Sequence, residues 1–69
     1  MKKPTETLGD RIYAIRTAQK LTRREVVVVA GCTEDALWRI ERRDQQPNIG
    51  TLQAIARALG VTVGRLLGE

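Results

Sequence analysis

The sequence predicts a compact all-α domain of five short helices. Three observations carry that reading. Residues that favour helix N-termini stand at Thr7, Thr22, Thr33, Asn48 and Thr62. Behind these caps, apolar residues recur at the three-and-four spacing that gives a helix one buried face. Gly31 and Gly60 then punctuate the chain where helices must stop, because glycine takes positive φ at little steric cost.

Residues 1–6 read as a flexible arm, with Pro4 discouraging helix before it and lysines at positions 2 and 3. Thr7 caps a first helix that runs to about residue 19, with Leu8, Ile12 and Ile15 on its apolar side and Tyr13 as a further packing candidate. The second helix, residues 23–30, opens on a capping box: Thr22 is followed three residues later by Glu25, so two orphan amides are satisfied reciprocally. The third, residues 34–42, is capped by Thr33 and carries Glu34 and Asp35 in its first turn, where the helix dipole favours acids. The polar run from Arg42 to Pro47 has no periodicity and reads as a loop. Asn48 caps a fourth helix whose apolar face is Ile49, Leu52, Ile55, Ala56 and Leu59, and Thr62 caps a short fifth bearing Val63, Leu66 and Leu67. No repeat, low-complexity tract or second domain is visible, so residues 7–69 form one domain after the arm.

One segment opposes this assignment by propensity. Val26 to Val29 is a β-branched run, and each valine costs a helix roughly half a kcal/mol relative to alanine. No second segment alternates with the period of two that a strand partner needs, and the flanking cap and glycine fit a helix. A helix is therefore expected.

The chain has 69 residues, and a domain of this size buries only about 60% of its unfolded surface. One cysteine and no histidine exclude an intrachain disulfide and zinc sites built from Cys and His. The opening residues hold charge but no apolar run, so neither a signal peptide nor a membrane span is expected. Twelve Lys and Arg against 8 Asp and Glu give a formal charge of +4, compatible with a nucleic-acid partner without demanding one. No nucleophile–base pair, metal-ligand cluster or glycine-rich phosphate loop is present, so neither an enzyme nor a cofactor is expected.

Residues 22–41, TRREVVVVAGCTEDALWRIE, place two short helices on either side of a tight turn at Gly31. That spacing is a helix-turn-helix, whose second helix can enter a DNA major groove. The segments LGDRIYAIRTAQKLT, LWRIER, QPNIGTLQAIARALGV and VTVGRLL, in this order around the Ala30-Gly31 turn, make residues 8–67 resemble the Cro/phage-repressor-type helix-turn-helix regulators, the xenobiotic-response-element class. The resemblance implies a five-helix lambda-repressor-like DNA-binding domain, dimeric, that recognises operator DNA.

The resemblance also implies residue roles. Arg16 and Glu41 match a buried ion pair tying the first helix to the end of the third, and both border apolar residues. Thr33, Glu34, Asp35 and Arg39 match base-facing positions on the recognition helix, and Leu37 and Ile40 match its core positions. Arg23 stands where the family most often has glutamine, beside the DNA backbone. Arg42 and Arg43 follow the recognition helix, where relatives contact phosphate.

Chemistry weighs on these roles. Arg23, Arg24, Arg42 and Arg43 flank one helix; singly each reads as a solvated charge, but together they suit phosphate neutralisation. Arg39 has the chemistry to grip guanine O6 and N7, and its plainer alternative is an i,i+4 pair with Asp35 worth about 0.3–0.5 kcal/mol. Glu34 and Asp35 either stabilise the helix start or read bases through cytosine N4, with Glu34 the favoured reader. Trp38 falls at the border of core and surface. Cys32 reads as a small packing residue, although the adjacent helix start would lower a thiol pKa.

Val27 departs from the small residue usual in this family, which points to tight packing there. Val28 and Val29 replace polar residues and offer a possible protein contact. The expected function is a sequence-specific transcriptional regulator, a repressor that binds a pseudo-palindromic operator as a homodimer through residues 33–41, in a bacterial or phage-infected cytoplasm at the nucleoid. The dimer contact is expected from Val63, Leu66, Leu67 and the loop near Gly60. The alternative is a protein-interaction module of the same fold, an anti-repressor or antitoxin-like partner using Val28 and Val29. Membrane binding is not expected.

Overall fold

The helix starts marked by the sequence are the starts of the folded chain. The computed structural model describes residues 7–68, so the expected arm at residues 1–6, with Lys2 and Lys3, lies outside the described residues, as does Glu69. Among the described residues there are five α-helices and no strand: α1 (Leu8–Ala18), α2 (Arg23–Ala30), α3 (Glu34–Arg42), α4 (Ile49–Leu59) and α5 (Val63–Leu66).

Every helix is capped by a side chain that accepts from an amide three residues on. The Thr7, Thr33 and Thr62 hydroxyls accept from Asp10, Ala36 and Arg65 N–H at 3.1, 3.0 and 3.0 Å, and Asn48 Oδ1 accepts from Thr51 N–H at 2.8 Å. The Thr22 box is closed both ways, with Glu25 N–H donating to Thr22 Oγ1 at 3.1 Å and Thr22 N–H donating to Glu25 Oε1 at 2.7 Å. A second box, between Thr7 and Asp10, went unread in the sequence because its acid is the shorter Asp and not Glu.

The valine run is helical. Its strand propensity loses to the capping box before it, to Gly31 in the left-handed region after it (φ 76°), and to burial of Val26 and Val27 in the core. That core lies between α1, α2, α3 and α4, with Leu66 of α5 closing one end, and α2 packs most extensively on α4. Ile12, Leu37, Ile55 and Leu66 are completely buried.

Two apolar residues expected to pack in the core, Tyr13 and Ile49, lie outside it, and of the residues expected at a dimer contact Leu66 is completely buried in the core while Leu67 is exposed. Tyr13 is 42% exposed, because it follows the buried Ile12 by one step, about 100° around the helix. Its ring instead covers the Arg16 guanidinium at 5.3 Å. Ile49 is exposed because the first residue of α4 projects beyond the packed layer, and Leu67 is exposed because it follows the end of α5.

Two close contacts set the position of α1 against α3 and α4. Gly9 faces α3 so tightly that a Cβ there would collide with the Ile40 carbonyl oxygen and come within 3.0 Å of Glu41 Cα. At the other end of α1, Gln19 Nε2 donates to the Leu59 carbonyl at 2.7 Å, joining the C-termini of α1 and α4.

Candidate nucleic-acid interface

The α2–turn–α3 unit is held from its inner side. Leu37 and Ile40 are buried, and Glu41 follows them with its carboxylate completely buried. Arg16 grips that carboxylate from α1: Nε donates to Oε2 at 2.8 Å and Nη2 donates to Oε1 at 3.1 Å. The remaining Arg16 nitrogen, Nη1, donates to the Leu21 carbonyl at 2.7 Å. This bidentate geometry fixes both the angle and the register of α3 against α1.

Arg23 enters the same cluster. Its Nε donates to Glu41 Oε1 at 2.9 Å, and its side chain is 28% exposed. The sequence reading placed Arg23 at the DNA backbone without this contact, since nothing local links residues 23 and 41. The bond leaves the outer guanidinium edge at the surface. Glu41 thus serves two guanidiniums with one carboxylate.

The outer side of α3 carries the residues singled out for base reading. Thr33, Glu34, Asp35 and Arg39 are all exposed. Arg39 Nη2 lies 3.0 Å from Asp35 Oδ2, so the i,i+4 pair is formed. Arg24 lies 4.0 Å from Glu34, and with both side chains well exposed this contact holds little energy. The Thr33 hydroxyl is engaged as the helix cap.

At the C-terminal end of α3, Arg42 and Arg43 are exposed. The Arg43 guanidinium stacks over the Trp38 ring at 5.5 Å. Asp35, Trp38, Arg39, Arg43 and Gln45 together line a shallow surface depression beside α3. Arginines therefore stand at both ends of the exposed α3 surface: Arg24 beside Glu34 at its start, and Arg23, held on Glu41, with Arg42 and Arg43 at its close.

Cys32 at the turn is half-buried, and burial pushes its thiol pKa up. Desolvation outweighs the backbone hydrogen bond that lowers it, so the net shift is opposite to the lowering expected at a helix start. Val28 and Val29 stand 74% and 65% exposed on the outer side of α2. Among the described residues no group of His, Cys, Asp and Glu is arranged to hold a metal, and no helix is long and apolar enough to cross a membrane.

The sequence and the fold recur in known proteins. A family model described as a helix-turn-helix domain matches residues 7–67. The immunity repressor protein of Bacillus phage phi105 is 41% identical over 63 residues, covering 91% of this chain and 44% of that relative. The uncharacterized HTH-type transcriptional regulator y4dL of Sinorhizobium fredii is 36% identical over 59 residues, covering 86% of this chain and 30% of that relative. The chain thus spans less than half the length of the curated relatives it matches.

Solved structures agree. The P22 c2 repressor in complex with a synthetic operator superposes with a TM-score of 0.83 at 29% identity, covering 90% of this chain and 94% of that one. The N-terminal DNA-binding domain of SinR from Bacillus subtilis gives 0.82 at 33% identity, covering 90% and 91%. With the family model matching nearly its whole length and the fold shared with repressor domains, the chain belongs to the helix-turn-helix domain family.

Proposed function

We propose that this chain is the DNA-binding domain of a transcriptional repressor that inserts α3 into the major groove of a pseudo-palindromic operator. One observation carries the reading. The inner side of α3 is locked by Leu37, Ile40 and Glu41, while its outer side presents Thr33, Glu34, Asp35 and Arg39 with arginines at both ends. A rigid helix with that polarity can read base edges while Arg23, Arg24, Arg42 and Arg43 neutralise phosphates. The likeness to a phage repressor and to an operator-bound repressor supports it.

The domain acts as a homodimer in this reading. Two copies present two recognition helices about 34 Å apart along one face of the duplex, and the exposed Leu67 belongs to the surface that joins them. The site of action is the nucleoid of a bacterial or phage-infected cell. Selection of bound fragments from a random duplex pool at low ionic strength tests the reading. An inverted-repeat sequence is expected, with affinity falling steeply as salt rises. Failure to retain any duplex rejects DNA binding, and sedimentation of the bound complex as a single copy rejects the dimer.

A second reading rests on Val28 and Val29, adjacent and both largely exposed on α2. They suit an anti-repressor or antitoxin-like module that docks a protein there. A stoichiometric co-purifying protein, with no enrichment of any duplex, selects this reading over the first.

A further inference from the structure

We propose that Glu41 is a positioning residue for DNA binding: by accepting from Arg23 as well as from Arg16, it presents the outer edge of the Arg23 guanidinium to a backbone phosphate. The inference rests on the DNA-binding reading and assigns part of its mechanism. Three observations meet at this cluster. Arg16 engages all three of its nitrogens, with two bonds to Glu41 and one to the Leu21 carbonyl, and its side chain is only 8% exposed, so it is a structural clamp. Arg23 is attached through Nε alone, and its Nη groups have no acceptor among the described residues. Its side chain is 28% exposed, so that free edge reaches the surface while the stem is held.

Charge and rigidity follow from that arrangement. One carboxylate between two guanidiniums leaves excess positive charge on the cluster, and the outer, Arg23 end is the one open to an anion. Glu25, the acid nearest in sequence, is turned to the Thr22 amide as part of its capping box. Arg24, by contrast, is 80% exposed and reaches only Glu34 at 4.0 Å. Arg24 must lose its rotamer freedom when it binds phosphate, whereas Arg23 has lost much of it already in the free protein. A guanidinium can hold Glu41 through Nε and still offer its two Nη groups to a phosphate. A lysine at position 23 keeps the charge but places its three donors on one nitrogen, so it cannot hold Glu41 at one edge while presenting a separate, fixed edge to the phosphate.

The test compares Arg23→Lys with Arg24→Lys in the full chain, each titrated into a fluorescent mixed-sequence duplex at low salt. Arg23→Lys is expected to weaken binding about tenfold, the scale of one charge-assisted hydrogen bond. Arg24→Lys keeps a phosphate-binding charge on a side chain that is mobile in either form, so its loss is expected to be distinctly smaller than that of Arg23→Lys. Equal losses in the two variants, or no loss at Arg23, overturn the proposal. A second measurement does not depend on the variant folding. In nitrogen-15 spectra of the wild-type chain the Arg23 Nε–H signal is expected to be visible and slowly exchanging, and to shift when duplex saturates the protein. An Arg23 signal unmoved at saturation overturns the proposal and leaves DNA binding standing. A wild-type chain that binds no duplex overturns DNA binding itself, and this inference with it.

Discussion

Gly9 of α1 lies directly against the Ile40 carbonyl oxygen of α3, with no space between them for a methyl group. The neighbour is backbone, so it cannot rotate away as a flexible side chain would. Gly9→Ala must therefore push α1 and α3 apart or bend one of them. The expected loss is about 1–3 kcal/mol of stability, the range for overpacked sites, read from urea denaturation. Alanine has the better intrinsic helix propensity, so a stabilised variant would show that the two helices are not in this close register.

The Arg16–Glu41 pair predicts an asymmetry. Glu41→Leu leaves two guanidiniums without their shared acceptor, one of them only 8% exposed. Arg16→Met leaves Glu41 still bonded to Arg23. The first change is expected to cost about 3–5 kcal/mol, as for a broken buried pair, and the second distinctly less. Thermal melting of the two variants checks the order, and equal losses would show that Arg23 does not share the carboxylate.

The four consecutive valines are expected to behave as two pairs. Val27 is buried, so Val27→Ala removes two methyl groups from the core and is expected to cost about 1–2 kcal/mol. Val28 is 74% exposed, so Val28→Lys is expected to change stability by less than about 0.5 kcal/mol. Urea denaturation distinguishes them. A Val27→Ala variant that gains stability would refute this and mean that valine overfills the site.

Cys32 is expected to react slowly. The thiolate is the reactive form, and burial raises the pKa of this thiol above its ordinary value. Alkylation of the folded chain should therefore lag that of the urea-unfolded chain at neutral pH, with the rate rising only at more alkaline pH. The linkage has a definite sign. Because the folded-state pKa is raised, the associated stability is complete below the unfolded thiol pKa and is lost as pH rises through the folded value. Faster alkylation of the folded than the unfolded chain would refute the desolvated environment.

What was legible in the sequence was local. Thr22 with Glu25, Gly31 and Gly60 act within one helix turn of themselves, so their positions alone determine where α2 and α4 begin or end. Leu37 and Ile40 follow from spacing along one helix face. What was illegible depended on contacts across the chain: Gly9 against Ile40, Gln19 on the Leu59 carbonyl, and Arg23 on Glu41 each join residues from different elements. Helix ends were the other source of error. Ile49 keeps the periodicity of a buried face but stands where that face has run past the core, and Leu66, expected at a dimer contact, is taken up by the core itself. At the candidate interface, the residue types suggested the division between base reading and phosphate binding. The Arg43–Trp38 stack and the shared Glu41 carboxylate needed three-dimensional placement.

Arg39 and Arg42 are expected to fail in different ways. Arg39 is held 3.0 Å from Asp35 on the exposed side of α3, aimed by a neighbour and available to guanine. Arg39→Ala should weaken binding to the selected operator by about 1–3 kcal/mol and lower discrimination at one base pair in each half-site, leaving other positions unchanged. Arg42 closes α3 with an exposed side chain, and the proposed function assigns it to a phosphate. Arg42→Ala should weaken binding to every duplex alike and reduce the slope of log K against log salt by about one. Anisotropy titrations over a salt series, with the operator and its single-base variants, separate the two patterns. Uniform loss from Arg39→Ala would move that residue from base reading to the phosphate set, and base-selective loss from Arg42→Ala would do the reverse.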